Sequence, residues 1–339
     1  MITVFDPIQR QHDPQFFLSS GAPQPCPEQP ARIDALLAGV AALGGPVLAP
    51  RDHGLEPILA VHPQRYVSFL QGIYPRWQRI EGASAEVIPN IHPASRSDGY
   101  PKSAVGQAGF HMTDTSCPIG EQTWPAAYAS AQTALHAAEL VLGGESAAYA
   151  LCRPPGHHCF AELAGGFCYL NNSAIAAERL ARAGRRVAIL DVDLHHGNGT
   201  QGIFYGRGDV LTVSLHADPE RFYPFFWGYA AERGEGAGEG ANLNLPLPRG
   251  TGDEGFLAAL GQGLEAISRF GADTVILALG LDAYEGDPFA GLRVTTPGFH
   301  RIGQAVAALG LPVLIVQEGG YLCPELGENL AAVLSAFPD

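Results

Sequence analysis

Five short apolar runs, AAYALCRPPG, RVAILDVD, DVLTVSLHAD, DTVILALGLD and PVLIVQEGG, leave this chain little freedom in how it folds. Each ends in Gly, Asp or Pro, and most lack a polar face. Between them lie segments of helical period: WPAAYASAQTALHAAELVL, NNSAIAAERLARAG, EGFLAALGQGLEAISRFG and PGFHRIGQAVAALG. Strands without a polar face must be covered on both sides, and strands alternating with helices pair in parallel. The expected fold is α/β, a mainly parallel sheet flanked by helices on both faces. At 339 residues the chain is long for one domain, yet α/β folds reach this size undivided, and a single catalytic domain over 1–339 is expected. In such sheets sites form just beyond the carboxyl ends of the strands, and every unusual polar cluster here falls at such an end. Residues 82–122, rich in Pro, Ser, Gly and His, show no clear period and read as a long loop, either an interface or a lid.

Composition excludes several classes. The formal charge is −14 and Lys102 is the sole lysine, so a polyphosphate partner would be repelled and nucleic-acid binding is not expected. The six cysteines are scattered with no C-x-x-C, the pattern of reduced thiols in a cytoplasmic protein. No stretch reaches the roughly 18 uninterrupted apolar residues of a membrane span. GEGAGEGAN (234–242) neither follows a strand nor opens a helix and lacks a P-loop lysine. No G-x-S-x-G elbow is present, which argues against a serine hydrolase.

The chemistry concentrates in DVDLHHGNGT, residues 191–200. Asp193 and His195 stand in D-x-H spacing at a strand end, and Asp282 closes another strand. Two carboxylates and one imidazole suit a divalent ion such as zinc and leave positions open for water and substrate. Alone, Asp282 fits a strand-end carboxylate that accepts from backbone N–H groups; Asp193 and His195, in so concentrated a motif, fit a metal. His157 and His158, in the stiff turn RPPGHH, suit general acid/base work, with Asp191 and Asn198 as candidate orienters. Tyr321, in EGGY, could donate to a developing oxyanion, its two glycines allowing close backbone approach.

Taken in order, RPPGHH, GGFCYLNNSAIAA, ILDVDLHHGNGTQGIFY, VSLHADP, LGLDAYEGDPFAGL and EGGY resemble the histone deacetylase superfamily, and PEQPARI and VHPQRYVSFL resemble its N-terminal segment. The long loop and RFYPFFWGYAAE look closest to its bacterial acetylpolyamine amidohydrolase branch, beside the histone deacetylase-like amidohydrolases. The resemblance implies an arginase/deacetylase-like fold and a zinc amidohydrolase that removes acyl groups from amines. It implies one zinc per chain on Asp193, His195 and Asp282, with His158 as general base and acid and His157 as its electrostatic partner. Tyr321 would polarise the scissile carbonyl. A structural potassium would be held by Asp191, Ser214 and the carbonyls of Asp193, His195 and Leu215. Gly166, Phe167, Tyr223 and Phe289 would line a substrate tunnel, and the long loop would join a homodimer. Where polyamine-acting members carry carboxylates at the tunnel mouth, this chain has Phe17, Val105 and Ser116, and Phe289 replaces a gatekeeper glutamate. Glu28, Glu121 or Asp98 could supply a substitute acid. An acetylpolyamine, an acyl-lysine or a neutral acyl-amide therefore all remain open as substrates, and an arginase-like binuclear manganese hydrolase is the alternative chemistry.

Overall fold

Eight strands, all parallel to their neighbours, form the central sheet. They are β1 (Ile2–Val4), β4 (Val47–Leu48), β5 (Ala147–Ala150), β6 (Val187–Asp191), β7 (Val210–Ala217), β8 (Asn242–Leu247), β9 (Thr274–Leu279) and β10 (Val313–Gln317), in spatial order β4-β1-β5-β10-β9-β6-β7-β8. The structure is a computed structural model and describes residues 1–93 and 99–337. A separate antiparallel hairpin, β2 (Phe16–Ser19) and β3 (Ala22–Pro25), lies outside the sheet. The five runs singled out in the sequence are β5, β6, β7, β9 and β10, every residue of them buried.

The period of two sorts their side chains onto two covered faces. Leu190, Val275, Leu277 and Ile315 meet helices α1 (Ala31–Leu43), α8 (Asp253–Phe270), α9 (Thr296–Ala307) and α10 (Leu326–Leu334) in one core. Ile189, Ile276, Ala278 and Val316 meet α5 (Thr123–Leu142), α6 (Asn172–Arg182) and α7 (Asn198–Phe204) in another. Alanines at 134, 137, 138, 174, 176 and 177 bring α5 and α6 close to the sheet. No helix is long and apolar enough to cross a membrane among the described residues.

The segment 82–122 is more structured than its composition suggests. It contains helix α4 (Ala104–His111), capped by the Ser103 hydroxyl, which accepts from Gly106 N–H at 3.1 Å. Val87 pairs with Ile119, and Val87, Met112, Cys117 and Ile119 join a third core with α3 (Gln64–Trp77). Two turns containing two glycines are too short to show a helical period in sequence. Val105, expected at the tunnel mouth, sits on α4 and packs against this core instead.

Strand order does the work of assembling the site. Because β5, β10, β9, β6 and β7 are consecutive neighbours and parallel, the segments after them emerge side by side at one edge. Those segments carry Arg153–His158, Glu318–Tyr321, Asp282 and Val192–Asn198, and Asp191 and His216 stand in the last residues of β6 and β7 themselves.

Candidate active site

The imidazole of His195 faces two carboxylates: its Nδ1 is 3.3 Å from Asp193 Oδ1 and 3.1 Å from Asp282 Oδ2. One ligand atom from each residue can be chosen so that all lie within 4.8 Å of one another. Ligand atoms about 2.0–2.1 Å from a tetrahedral ion lie roughly 3.3 Å apart, so the spacing fits a small divalent cation. A single N–H cannot serve both carboxylates, whereas a cation can. Burial pushes Asp282 up to about 6, and the neighbouring Asp193 charge adds to it. Burial alone would lower His195, but the carboxylates of Asp193 and Asp282, as hydrogen-bond acceptors and as charges, hold it at about 9. Two carboxylates forced together in a dry site favour a positive ion between them.

The backbone fixes this trio. Asp282 Oδ1 accepts from Leu194 N–H at 2.9 Å, and Asp193 Oδ1 accepts from His195 N–H at 2.8 Å. Gly319 N–H donates to Asp193 Oδ2 at 2.8 Å. A Cβ at Gly319 would collide with the carboxylates of both Asp193 and Asp282, so the first glycine of EGGY is required by close approach.

The adjacent histidines are held by different partners. His157 Nδ1 lies 3.0 Å from Asp191 Oδ2, and His158 Nδ1 lies 2.7 Å from Asn198 Oδ1. An amide oxygen only accepts, so His158 carries its hydrogen on Nδ1 and keeps a lone pair on Nε2. Burial pushes His158 well below its usual value, with His157 and His195 adding to the effect. Burial opposes protonation of His157 too, but Asp193 and Asp191 hold it up at about 10. With ring centroids 4.0 Å apart, the pair thus combines a neutral imidazole with a charged one.

His158, His195 and Tyr321 line a cavity of about 300 Å³, with Gly166, Phe167, Tyr223 and Phe289 in its walls. Phe17 and Ser116 also line it. The Tyr321 ring packs 4.7 Å from Phe289, and burial with the Asp282 charge keeps its phenol protonated far above neutral pH. A cleft of about 350 Å³ beside Val40 and Leu334 is lined by no titratable side chain among the described residues. Asp191, Ser214 and His196 border a much smaller buried void of about 10 Å³, and Ser214 Oγ is 2.8 Å from His216 Nδ1.

Glu28 cannot act at the tunnel mouth. It is fully buried, its Oε1 accepting from Arg32 Nη1 at 2.6 Å and Arg153 Nε at 2.8 Å. Arg32 in turn donates to the carbonyls of Glu318 and Gly320, either side of Gly319. Glu121 is exposed in the turn before α5 and does not line the cavity; Asp98 lies outside the described residues. Two carboxylates escaped the sequence reading. Asp287 accepts from Tyr321 N–H at 2.9 Å and Phe289 N–H at 2.8 Å, joining the phenol segment to the tunnel wall. Asp114 accepts from the Tyr223 hydroxyl at 2.6 Å. Both act mainly on groups far away in sequence, and neither stands in a metal-like spacing that could have signalled it.

Residues 26–337 match the family model of the histone deacetylase domain. The chain belongs to the histone deacetylase family. This family member is similar to the acetylpolyamine amidohydrolase of Burkholderia pseudomallei, with 47% identity over 99% of this chain and 98% of the relative. Acetylpolyamine amidohydrolase 1 of Pseudomonas aeruginosa is 46% identical over 99% of each chain. A crystal structure of the acetylpolyamine aminohydrolase from Burkholderia pseudomallei superposes with a TM-score of 0.96 at 46% identity, covering 99% of this chain and 98% of that one. The HDA15 HD domain superposes at 0.80 with 30% identity, covering 98% and 87%. The fold is therefore the arginase/deacetylase type, and this histone deacetylase family member is an amidohydrolase of the deacetylase kind.

Proposed function

We propose that this chain is a zinc-dependent amidohydrolase that releases acetate from small acetylated amines. The observation that carries the reading is that His195, grouped with Asp193 and Asp282, lines the same cavity as His158 and Tyr321, with His157 packed against His158. Asp193, His195 and Asp282 would hold the ion, which when bound polarises the scissile carbonyl and acidifies a water. His158 Nε2, with its lone pair free, takes the proton of the attacking water. The charged His157, fixed by Asp191, favours the developing negative charge beside it. The Tyr321 hydroxyl donates to the tetrahedral oxyanion, and His158 then returns the proton to the departing amine nitrogen. Asn198 keeps His158 in the tautomer that both transfers need.

A single ion is favoured over a binuclear manganese pair by the chemistry of the neighbouring donors. His157, Cys168 and Glu318 also lie within 4.8 Å of one another. However, Glu318 accepts from Gly156 N–H, His157 N–H and the Ser173 hydroxyl, and burial raises the Cys168 thiol well above its usual value. No bridging carboxylate is left free in that cluster.

The names of the relatives support an acetylated amine as substrate, with acetylpolyamines, acyl-lysines and neutral acyl-amides as its chemical forms. Potassium on Asp191, Ser214 and the carbonyls of Asp193, His195 and Leu215 belongs to the same proposal, as does a homodimer formed through the 82–122 segment. Six unpaired cysteines support a cytoplasmic location.

The test is acetate release from N-alkylacetamides by the zinc-loaded chain and by Tyr321→Phe. The variant is expected to keep its metal and its affinity for a hydroxamate, while kcat falls by roughly 10²–10³-fold, the loss typical of one oxyanion donor. Full turnover by Tyr321→Phe would remove the phenol from the mechanism.

A further inference from the structure

The cavity wall beyond the reacting groups is aromatic. Phe17, Phe167, Tyr223, Phe225 and Phe289 supply most of it, beside Leu18 and the hydroxyl-bearing Ser19, Ser20 and Ser116. Among the described residues no Asp, Glu, Lys or Arg lines the cavity. Two carboxylates touch this wall from behind, and both are engaged. Asp114 accepts from the Tyr223 hydroxyl, Gly166 N–H at 3.2 Å and Ser116 N–H at 2.8 Å. Asp287 accepts from the backbone of Phe289 and Tyr321. An ammonium group drawn along this wall would lose water without gaining a counter-ion.

The aromatic surface continues outward. Phe225 is 47% exposed and Phe226 85% exposed, next to a cavity that Phe225 itself lines. Phe167 and Phe225 have φ of +66° and +61°. Side chains other than glycine rarely adopt that region, and such strain gathers where a ligand is clamped. The lip is a built turn: Phe225 N–H donates to the Phe222 carbonyl at 3.0 Å, and the Tyr229 hydroxyl donates to the Phe225 carbonyl at 2.8 Å. Exposed apolar surface adjoining a catalytic cavity marks a place where something apolar settles.

Resting on the deacetylase reading, we infer that the substrate's distal end is apolar. An alkyl chain runs between Phe17, Tyr223 and Phe289, and an aryl or alkyl terminus covers Phe225 and Phe226. Aromatic faces alone hold a cation weakly where water can still reach it, whereas an apolar terminus gains with every carbon buried.

The zinc-loaded full-length chain is assayed with N-acetyl-1,5-diaminopentane, its neutral isostere N-hexylacetamide, and N-(5-phenylpentyl)acetamide. Three hydroxamates with matching ammonium, methyl and phenyl termini are measured for Kd. Both neutral termini should be preferred over ammonium by roughly tenfold or more in kcat/KM and in Kd, the phenyl compound most of all. Phe226→Ala should remove the advantage of phenyl over methyl. Ser116→Glu, which puts a carboxylate on the wall, should move the preference toward the ammonium compound. Equal or better turnover and binding of the ammonium compounds would overturn the inference and leave the deacetylase reading standing. Failure of all three hydroxamates to bind, with no acetate released, would overturn that reading and the inference with it.

Discussion

Asp282→Ala is expected to abolish metal binding and to cut acetate release on the order of 10⁴–10⁶-fold, the scale seen when one member of a catalytic unit is removed. Two remaining ligands, Asp193 and His195, are too few to hold a zinc in a site that also needs open positions. Asp282→Asn separates this effect from a folding defect. The amide keeps an oxygen for Leu194 N–H, a contact of 2.9 Å in the native chain. It also removes the like-charge contact with Asp193 that, after burial, helps push Asp282 up to about 6. Metal-free Asp282→Asn should therefore be at least as stable as the metal-free native chain, yet inactive. A variant that loses activity only because it unfolds would contradict the assignment.

Glu28→Ala should lower stability by about 3–5 kcal/mol, the usual result of removing one partner from a buried ion pair. Glu28 serves Arg32 and Arg153 with one carboxylate oxygen, and all three side chains are almost fully buried. Without it, two guanidinium groups stay in the interior supported only by main-chain and neutral acceptors, among them the carbonyls of Gln9 and Glu318. The measurement is the urea midpoint of the metal-free variant, with an unchanged m-value showing that stability and not compactness has moved. Because Arg32 braces the carbonyls of Glu318 and Gly320, the Tyr321 segment should loosen and turnover should fall below that expected from the folded fraction alone. A native midpoint in Glu28→Ala would show that the two arginines are satisfied by carbonyls and that the ion pairs add nothing.

The centre of the fold was legible because its strands are buried on both faces. A run such as TVILAL can only be a covered strand, and the helical segments between such runs imply the parallel sheet. The edges were not legible. β1 and β4 have three and two residues, too few for any period. The edge strand β8 carries a proline within NLNLPL, and the hairpin strand APQP has two. Nor does the sequence reveal that β5 lies beside β10, although that pairing sets Arg153–His158 beside Glu318–Tyr321.

The same division runs through the site. Asp193 with His195, and His157 with His158, stand close enough in sequence to be read as units. Their orienters Asp191 and Asn198 were readable because both belong to the same decapeptide. Asp282, read alone, fitted a backbone acceptor as well as a ligand, and it does accept from Leu194 N–H while facing His195. Asp114 and Glu28 work through partners 109 and 125 residues away, a separation that no local pattern encodes. Glu28 fitted a substitute acid for the tunnel mouth because nothing in PEQPARI shows that Arg153 joins Arg32 in closing over it.

Elemental analysis of the purified chain, dialysed against zinc and then freed of loose metal, tests the central claim most directly. A single tightly held divalent ion per native chain is expected, and none above background in Asp282→Ala. Two divalent ions per native chain, or a divalent ion that survives the loss of Asp282, would contradict it.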